Sequence, residues 1–354
     1  MSFSLHQQEE LDLLQRALSA LSGGYAALPQ VTTDTDYNAG FAAVLEAAVR
    51  MRDNYPYAHP LYAGQMLKPP HPVARAAYQM AMWVNPNNHA LDGGRASSSM
   101  EKECVENIAG LFGLAPFLGH LTSSGTLANL EALWIARETH PTLPIAGSHD
   151  AHYTHARISK VLGIEYLPLP VTADGRLSLA ALEALAQSRQ LGTVVATSGT
   201  TSYGAVDPID KIIALGQKYG FRVHVDGAYG GYFGLSKALA PATRRAFDAI
   251  SHADSVAIDP HKHGLQPYGC GCILFADPGV GQHYQHDSPY TYFTSAELHL
   301  GEISLECSRA GAAAVALWAT QKALPMTSDG TFAQGFDACI SAATDLYGRL
   351  SESA

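Results

Sequence analysis

From about residue 115 to residue 275 the chain keeps switching between two periods. Short apolar runs at Ile145–Gly147, Tyr166–Pro168, Val194–Thr197, Val223–Val225, Val256–Ile258 and Gly271–Phe275 alternate with stretches of helical spacing at 126–138, 178–188 and 208–219. Runs rich in Val and Ile, without polar alternation, are the signature of strands covered on both faces. Strands that alternate with helices build βαβ units. The pattern therefore predicts an α/β fold, a mostly parallel central sheet flanked by helices on both faces.

The flanks read differently. Residues 5–22 predict a polar amphipathic helix that Gly23-Gly24 ends, and 38–53 predict a second. Asn54 to Pro72 is rich in Pro, Tyr and His and reads as an extended arm, since Pro69, Pro70 and Pro72 forbid a helix there. Helices are expected at 73–84 and at Ser97–Phe112, the latter capped by Ser97, Ser98 or Ser99. From Leu305 onward the chain again reads as helical.

Composition narrows the partners. A net charge of −10 with no basic stretch argues against nucleic acid. The five cysteines are scattered and odd in number, as in a cytoplasmic protein with reduced thiols. The N-terminus has no basic or apolar leader region, and the longest apolar stretch, around Ala310–Ala319, is too short to span a bilayer. A soluble, unexported protein without membrane partners is expected.

The chemistry concentrates at strand exits, where open α/β sheets place their ligands. Asp226 follows Val223–Val225 in His-Val-Asp-Gly-Ala-Tyr, and Lys262 follows Val256–Ile258 in Asp-Pro-His-Lys-His-Gly, 36 residues later. Pyridoxal 5'-phosphate (PLP) needs those two side chains together, a lysine amine for its Schiff base and a carboxylate to keep its ring nitrogen protonated. Leu121-Thr-Ser-Ser-Gly-Thr126 leads into a helical stretch. Ser124, Gly125 and Thr126 are the expected phosphate ligands, because small residues admit an anion to the first amides of a helix. His149, His152 and His155 recur every third residue and fan out around a helix, so no metal site is expected; His152 is read as stacking on a flat ring. Thr200 or Thr201 is placed beside the cofactor, and Asp207 is read as a helix N-cap.

Together these residues resemble the group II PLP-dependent amino-acid decarboxylases, which have the aspartate-aminotransferase fold (fold type I). His59-Pro-Leu-Tyr-Ala-Gly is similar to their N-terminal arm, Thr122–Asn129 to their phosphate segment, Asp150-Ala-His152 to the stretch with the stacking histidine, and Ser308-Arg309 to a Ser-Arg pair near the domain junction. Lys-His-Gly after the Schiff-base position is nearest the archaeal tyrosine/aspartate decarboxylase and sphingosine-phosphate lyase branch. The resemblance implies Lys262 as Schiff-base lysine, Asp226 as pyridinium partner, His152 as stacking residue, and Gly125, Thr126 and His261 near phosphate. Thr201 and Ala228 would line the ring. Leu127 stands where the family often has Glu.

The implied reaction is decarboxylation of an L-amino acid to its amine and CO2, with Tyr290 or Tyr292 relaying the proton to the α-carbon. An aldehyde-forming lyase, an aminotransferase using Arg309, or a truncated PLP-binding protein without activity are the alternatives. A homodimer with shared active sites is implied as well. The expected division is an N-terminal helical arm over 1–96, a PLP-binding α/β domain over 97–304, and the start of a shortened C-terminal domain over 305–354. Tyr57, His59, Tyr62 and Tyr78 are read either as an aromatic-substrate pocket or as dimer interface.

Overall fold

Val194, Val195 and Ala196 are fully buried, side chains on both faces of one strand, and the strands beside it at the centre of the sheet are buried in the same way. The computed structural model describes residues 7–29, 37–55, 57, 59, 62, 66, 68–89, 93–285 and 303–353. Its strands are β1 Leu118–Thr122, β2 Ile145–Ser148, β3 Tyr166–Leu169, β4 Thr193–Thr197, β5 Arg222–Asp226, β6 Ser255–Ile258 and β7 Gly271–Phe275. They form one seven-stranded sheet in the order β1-β7-β6-β5-β4-β2-β3. The strands from β3 through β6 are parallel, and β7 runs antiparallel to both of its neighbours. The mostly parallel sheet expected from the alternating pattern is present.

Helices α1 Gln7–Gly23, α2 Tyr37–Arg50, α3 Pro72–Met82 and α4 Arg95–Leu111 precede the sheet, and α10 Gly311–Ala323 and α11 Thr331–Glu352 follow it. Between strands lie α5 Gly125–Thr139, α6 Thr154–Leu162, α7 Leu179–Ser188, α8 Ile209–Tyr219 and α9 Pro241–Asp248. Alternation along β6 and β7 divides the core. Ala257, Ile273 and Phe275 pack on Ala128, Ala132 and Ile135 of α5. Val256, Ile258 and Leu274 point the other way, into the larger cluster holding Ile108 of α4, Ile212 of α8 and Leu317 of α10. The link between β6 and β7 carries no helix, so the chain turns straight back into the neighbouring antiparallel strand; that turn holds Lys262.

Three elements lie where no strong pattern announced them. β1 reads Leu-Gly-His-Leu-Thr and has a buried histidine in place of a β-branched run; His120 is held by Glu131 at 2.9 Å. α6 and α9 are short. Two caps also differ from expectation. α4 begins at Arg95 with Gly94 as N-cap, so Ser97 and Ser98 fall inside the first turn, and the Ser97 hydroxyl donates to Asn88 Oδ1. The N-cap of α8 is Pro208, not Asp207.

Asp207 instead ties two segments together. Its carboxylate is fully buried and accepts from the Leu177 amide at 2.7 Å and the Thr197 amide at 2.8 Å. Burial pushes its carboxyl up to about 6. The Thr197 contact fixes the end of β4, where the loop to the site begins. Asp207→Ala leaves two buried N–H groups unpaired and should cost about 2–4 kcal/mol. Urea unfolding should show a lower midpoint with an unchanged m-value.

Candidate active site

The exits of β4, β5, β6 and the start of α5 converge on one cavity of about 650 Å³. Lys262 and Asp226 both line it, as do Ser124, Gly125, Thr126, His152, Thr201, Ala228 and His261. Every sequence-chosen cofactor residue thus faces the same space. Tyr290 and Tyr292 lie outside the described residues. Thr200 is buried behind the wall, its hydroxyl accepting from the Ala205 amide at 3.1 Å, while Thr201 is exposed to the cavity.

Asp226 is the best-held group. It ends β5 with 4% of its surface exposed. Oδ2 pairs with His155 Nε2 at 2.8 Å and Oδ1 accepts from the Ala228 amide at 3.0 Å. Burial pushes the carboxyl up, but the His155 hydrogen bond and charge, with the Ala228 amide, outweigh it and hold the group well below the ordinary carboxylate range. Behind the pair, His224 bridges Ser255 Oγ at 2.9 Å and Asn129 Oδ1 at 2.7 Å, and burial pushes it down to about 3, so it stays neutral.

His155 was not among the expected site residues. It was read with His149 as one of a periodic trio. The available signal was the amphipathic pattern of α6: His155, Ile158 and Ser159 share its buried face, whereas His152 lies one residue before the N-cap. His152 itself lines the cavity half-buried, its Nδ1 accepting from the Thr154 amide at 3.3 Å, and burial lowers its basicity.

At the opposite end, Ser124 is the N-cap of α5, its hydroxyl accepting from the Leu127 amide at 3.2 Å. Gly125 and Thr126 follow as first-turn residues, whose amides have no partner within the helix. A Cβ on Gly125 would lie 2.4 and 2.5 Å from the two carboxylate oxygens of Asp259, so no other residue fits there without displacing that side chain. Asp259 in turn accepts from Lys262 Nζ at 2.9 Å. His261 Nδ1 bonds Cys270 O at 2.7 Å. The floor is main chain on main chain: Gly199 has φ +118°, and a Cβ on Gly230 would lie 1.5 Å from Ser198 O.

The site fits pyridoxal phosphate on three observations. A helix start with small residues faces the cavity, a buried ionised carboxylate ends the central strand, and a lysine stands at the next strand exit. Arg309 does not join them. Its guanidinium is 7% exposed and bound to Glu101 at 2.5 Å, to Leu121 O at 2.7 Å and to Asn88 O at 3.0 Å. Of the aromatic group, Tyr57 and Tyr62 meet edge to face at 5.2 Å, whereas Tyr78 packs on the main core.

Comparison with known proteins agrees with this geometry. Residues 84–353 match the family described as the pyridoxal-dependent decarboxylase conserved domain. An L-tyrosine decarboxylase of Levilactobacillus brevis is 30% identical over 73% of this chain and 57% of its own length. An L-aspartate decarboxylase of Thermococcus kodakarensis is 30% identical over 74% of this chain and 67% of its own. The crystal structure of mouse CSAD in apo form superposes with a TM-score of 0.77 at 22% identity, covering 98% of this chain and 78% of that one, which shows the shared fold. The chain belongs to the pyridoxal-dependent decarboxylase family. It spans 57%, 62% and 60% of three bacterial tyrosine decarboxylases that it matches.

The Asp226–His155 pair generates a direct test. His155→Phe keeps the ring volume but leaves a buried carboxylate without its partner. It should destabilise the protein by about 3 kcal/mol in urea unfolding and weaken pyridoxal phosphate binding at least about tenfold in titration.

Proposed function

We propose that the chain catalyses PLP-dependent decarboxylation of an L-amino acid to the corresponding amine and CO2. The observation that carries this reading is the single cavity lined by both Lys262 and Asp226. When bound, pyridoxal phosphate supplies an electron sink for the pair released as a bond at the substrate α-carbon breaks. The chain supplies the rest. Lys262 provides the amine for covalent attachment. The Gly125 and Thr126 amides, at the positive end of α5, would hold the phosphate. Asp226, paired with His155, would hold the ring nitrogen in its protonated form. His152, short of a charge because burial disfavours one, offers a flat neutral face to the ring. Tyr290 or Tyr292 delivers the proton to the α-carbon.

An aminotransferase needs an arginine to grip the substrate carboxylate in the ring plane. Both terminal nitrogens of Arg309 are engaged by Glu101 and two backbone carbonyls, and Arg309 does not line the cavity, which argues for carboxylate loss over transamination. The same reasoning bears on the substrate side chain. Among the described residues lining the cavity, Lys262 is the sole lysine or arginine, while Met66, Tyr153, Tyr229 and Tyr268 provide apolar and aromatic surface. We therefore favour an aromatic amino acid, the class named for the tyrosine decarboxylases, over aspartate, whose second carboxylate would meet no free cation there.

The proposal extends to a cytoplasmic homodimer, with a helical arm over 1–96, the cofactor domain over 97–304 and the start of a further domain over 305–354. No residue of α2 is buried, and it exposes Phe41, Val44, Leu45 and Val49. Such a face is costly in water unless a second copy covers it. Among the described residues, no helix is long and apolar enough to cross a membrane.

Purified protein loaded with pyridoxal phosphate should release CO2 and an amine from tyrosine faster than from aspartate in an amino-acid panel; keto-acid without CO2 would count against the reaction. Lys262→Ala should lose both turnover and the visible absorbance of lysine-held pyridoxal phosphate. Light scattering should give twice the 37.6 kDa chain mass, and Phe41→Glu with Val44→Glu should shift it toward the monomer.

A further inference from the structure

Asp259 is an unexpected group to find at a phosphate cradle. It is 2% exposed, both oxygens press against Gly125 at the first turn of α5, and Oδ1 has no hydrogen-bond partner. Only the other oxygen is used, by Lys262 Nζ at 2.9 Å, with His261 Nε2 at 3.6 Å. An ionised carboxylate there would face an arriving phosphate across a low-dielectric gap, and two like charges in such a site do not both persist. Lys262 meets the opposite difficulty. Its ammonium is paired with that carboxylate, and an ammonium has no lone pair to attack an aldehyde.

One proton resolves both. We propose that Asp259 is the proton acceptor for Lys262 and the charge gate of the phosphate subsite: the proton passes from Lys262 Nζ to Asp259 Oδ2 as the cofactor docks. The N–H bond breaks and the O–H bond forms, leaving a neutral amine and a neutral acid. The amine then condenses with the aldehyde, releasing water, and the carboxyl turns from repelling the phosphate to donating toward it. This rests on the cofactor reading above.

The surroundings suit a neutral acid. Burial raises the carboxyl, Lys262 and His261 oppose that, and Asp226 at the end of β5 adds to it. The other titratable groups facing it are His152 before α6, Tyr232 in the turn after β5, and Cys270 and Cys272 at β7. Tyr232 and the two thiols are raised by burial and stay neutral, and burial likewise keeps His152 from charging. Once Lys262 gives up its proton, no other lysine or arginine among the described residues lines the cavity.

The test is Asp259→Asn, which keeps shape and removes charge. Two probes separate the two roles. Pyridoxine 5'-phosphate has the phosphate but no aldehyde; at pH 8 it should bind the variant about tenfold tighter than the wild type, as one unit of lost repulsion predicts. Pyridoxal phosphate, followed by stopped-flow absorbance at saturation, should link to Lys262 about tenfold more slowly in the variant, which lacks the acceptor. Opposite movements are the signature; a merely structural role would weaken both. In the wild type, infrared difference spectra on loading should gain the C=O stretch of a protonated carboxyl. Unchanged affinity and rate, movement in the same direction, or no such band overturns the proposal. If neither protein binds either probe, the cofactor reading itself falls.

Discussion

A carboxylate at the end of a strand buried on both faces cannot stay charged without a partner, and the placing of Asp226 depends on His155 meeting that need. The requirement reaches far into the fold. His155 must arrive on the buried face of α6, so the chain between β2 and β3 has to dock that helix beside β5. His224, the residue before Val225 on the same strand, is kept neutral by burial, its ring centroid 6.3 Å from that of His155. Asn129 from α5 and Ser255 from β6 hold its ring in place. Four elements thus share responsibility for one oxygen pair.

The sequence disclosed the architecture well where the physics is local and repetitive. β4 through β7 announce themselves because both faces are buried and each carries a short run rich in Val, Ile or Leu. Lys262 and Asp226 were visible because each sits at the end of such a run, and the Gly125–Thr126 pair because small and hydroxyl residues lead there into a helical stretch. β1 was invisible for a physical reason: its centre is His120, which only burial against Glu131 makes acceptable, and that partner lies on another element. Asp207 showed the same limit. Beside a helix its residue type suggests a cap, and nothing nearby reveals that Leu177 and Thr197 supply the amides it binds. His155 and Asp259 were passed over likewise, since their importance lies in contacts, 71 residues apart in the first case.

Arg309 illustrates how one contact can redirect a chemical argument. As a lone arginine in a helical region it could be assigned to substrate. In place, it joins the segment before α10 to α4, β1 and the loop at Asn88, with Glu101 also accepting from the Leu121 amide at 3.0 Å. Its role is to close the seam between the first and last parts of the chain. Removing it would strand Glu101, which is 1% exposed, as an isolated buried charge.

The contact between Gly230 and Ser198 has a bearing on how such a protein can diversify. Because the loops leaving β4 and β5 make their tightest approach through peptide groups, the floor beneath the cavity depends little on which side chains decorate its walls. Thr201 and Tyr268 line the cavity around that floor. Descendants of such a scaffold are free to trade those decorations for new ligands, while the carboxylate anchored below keeps its address.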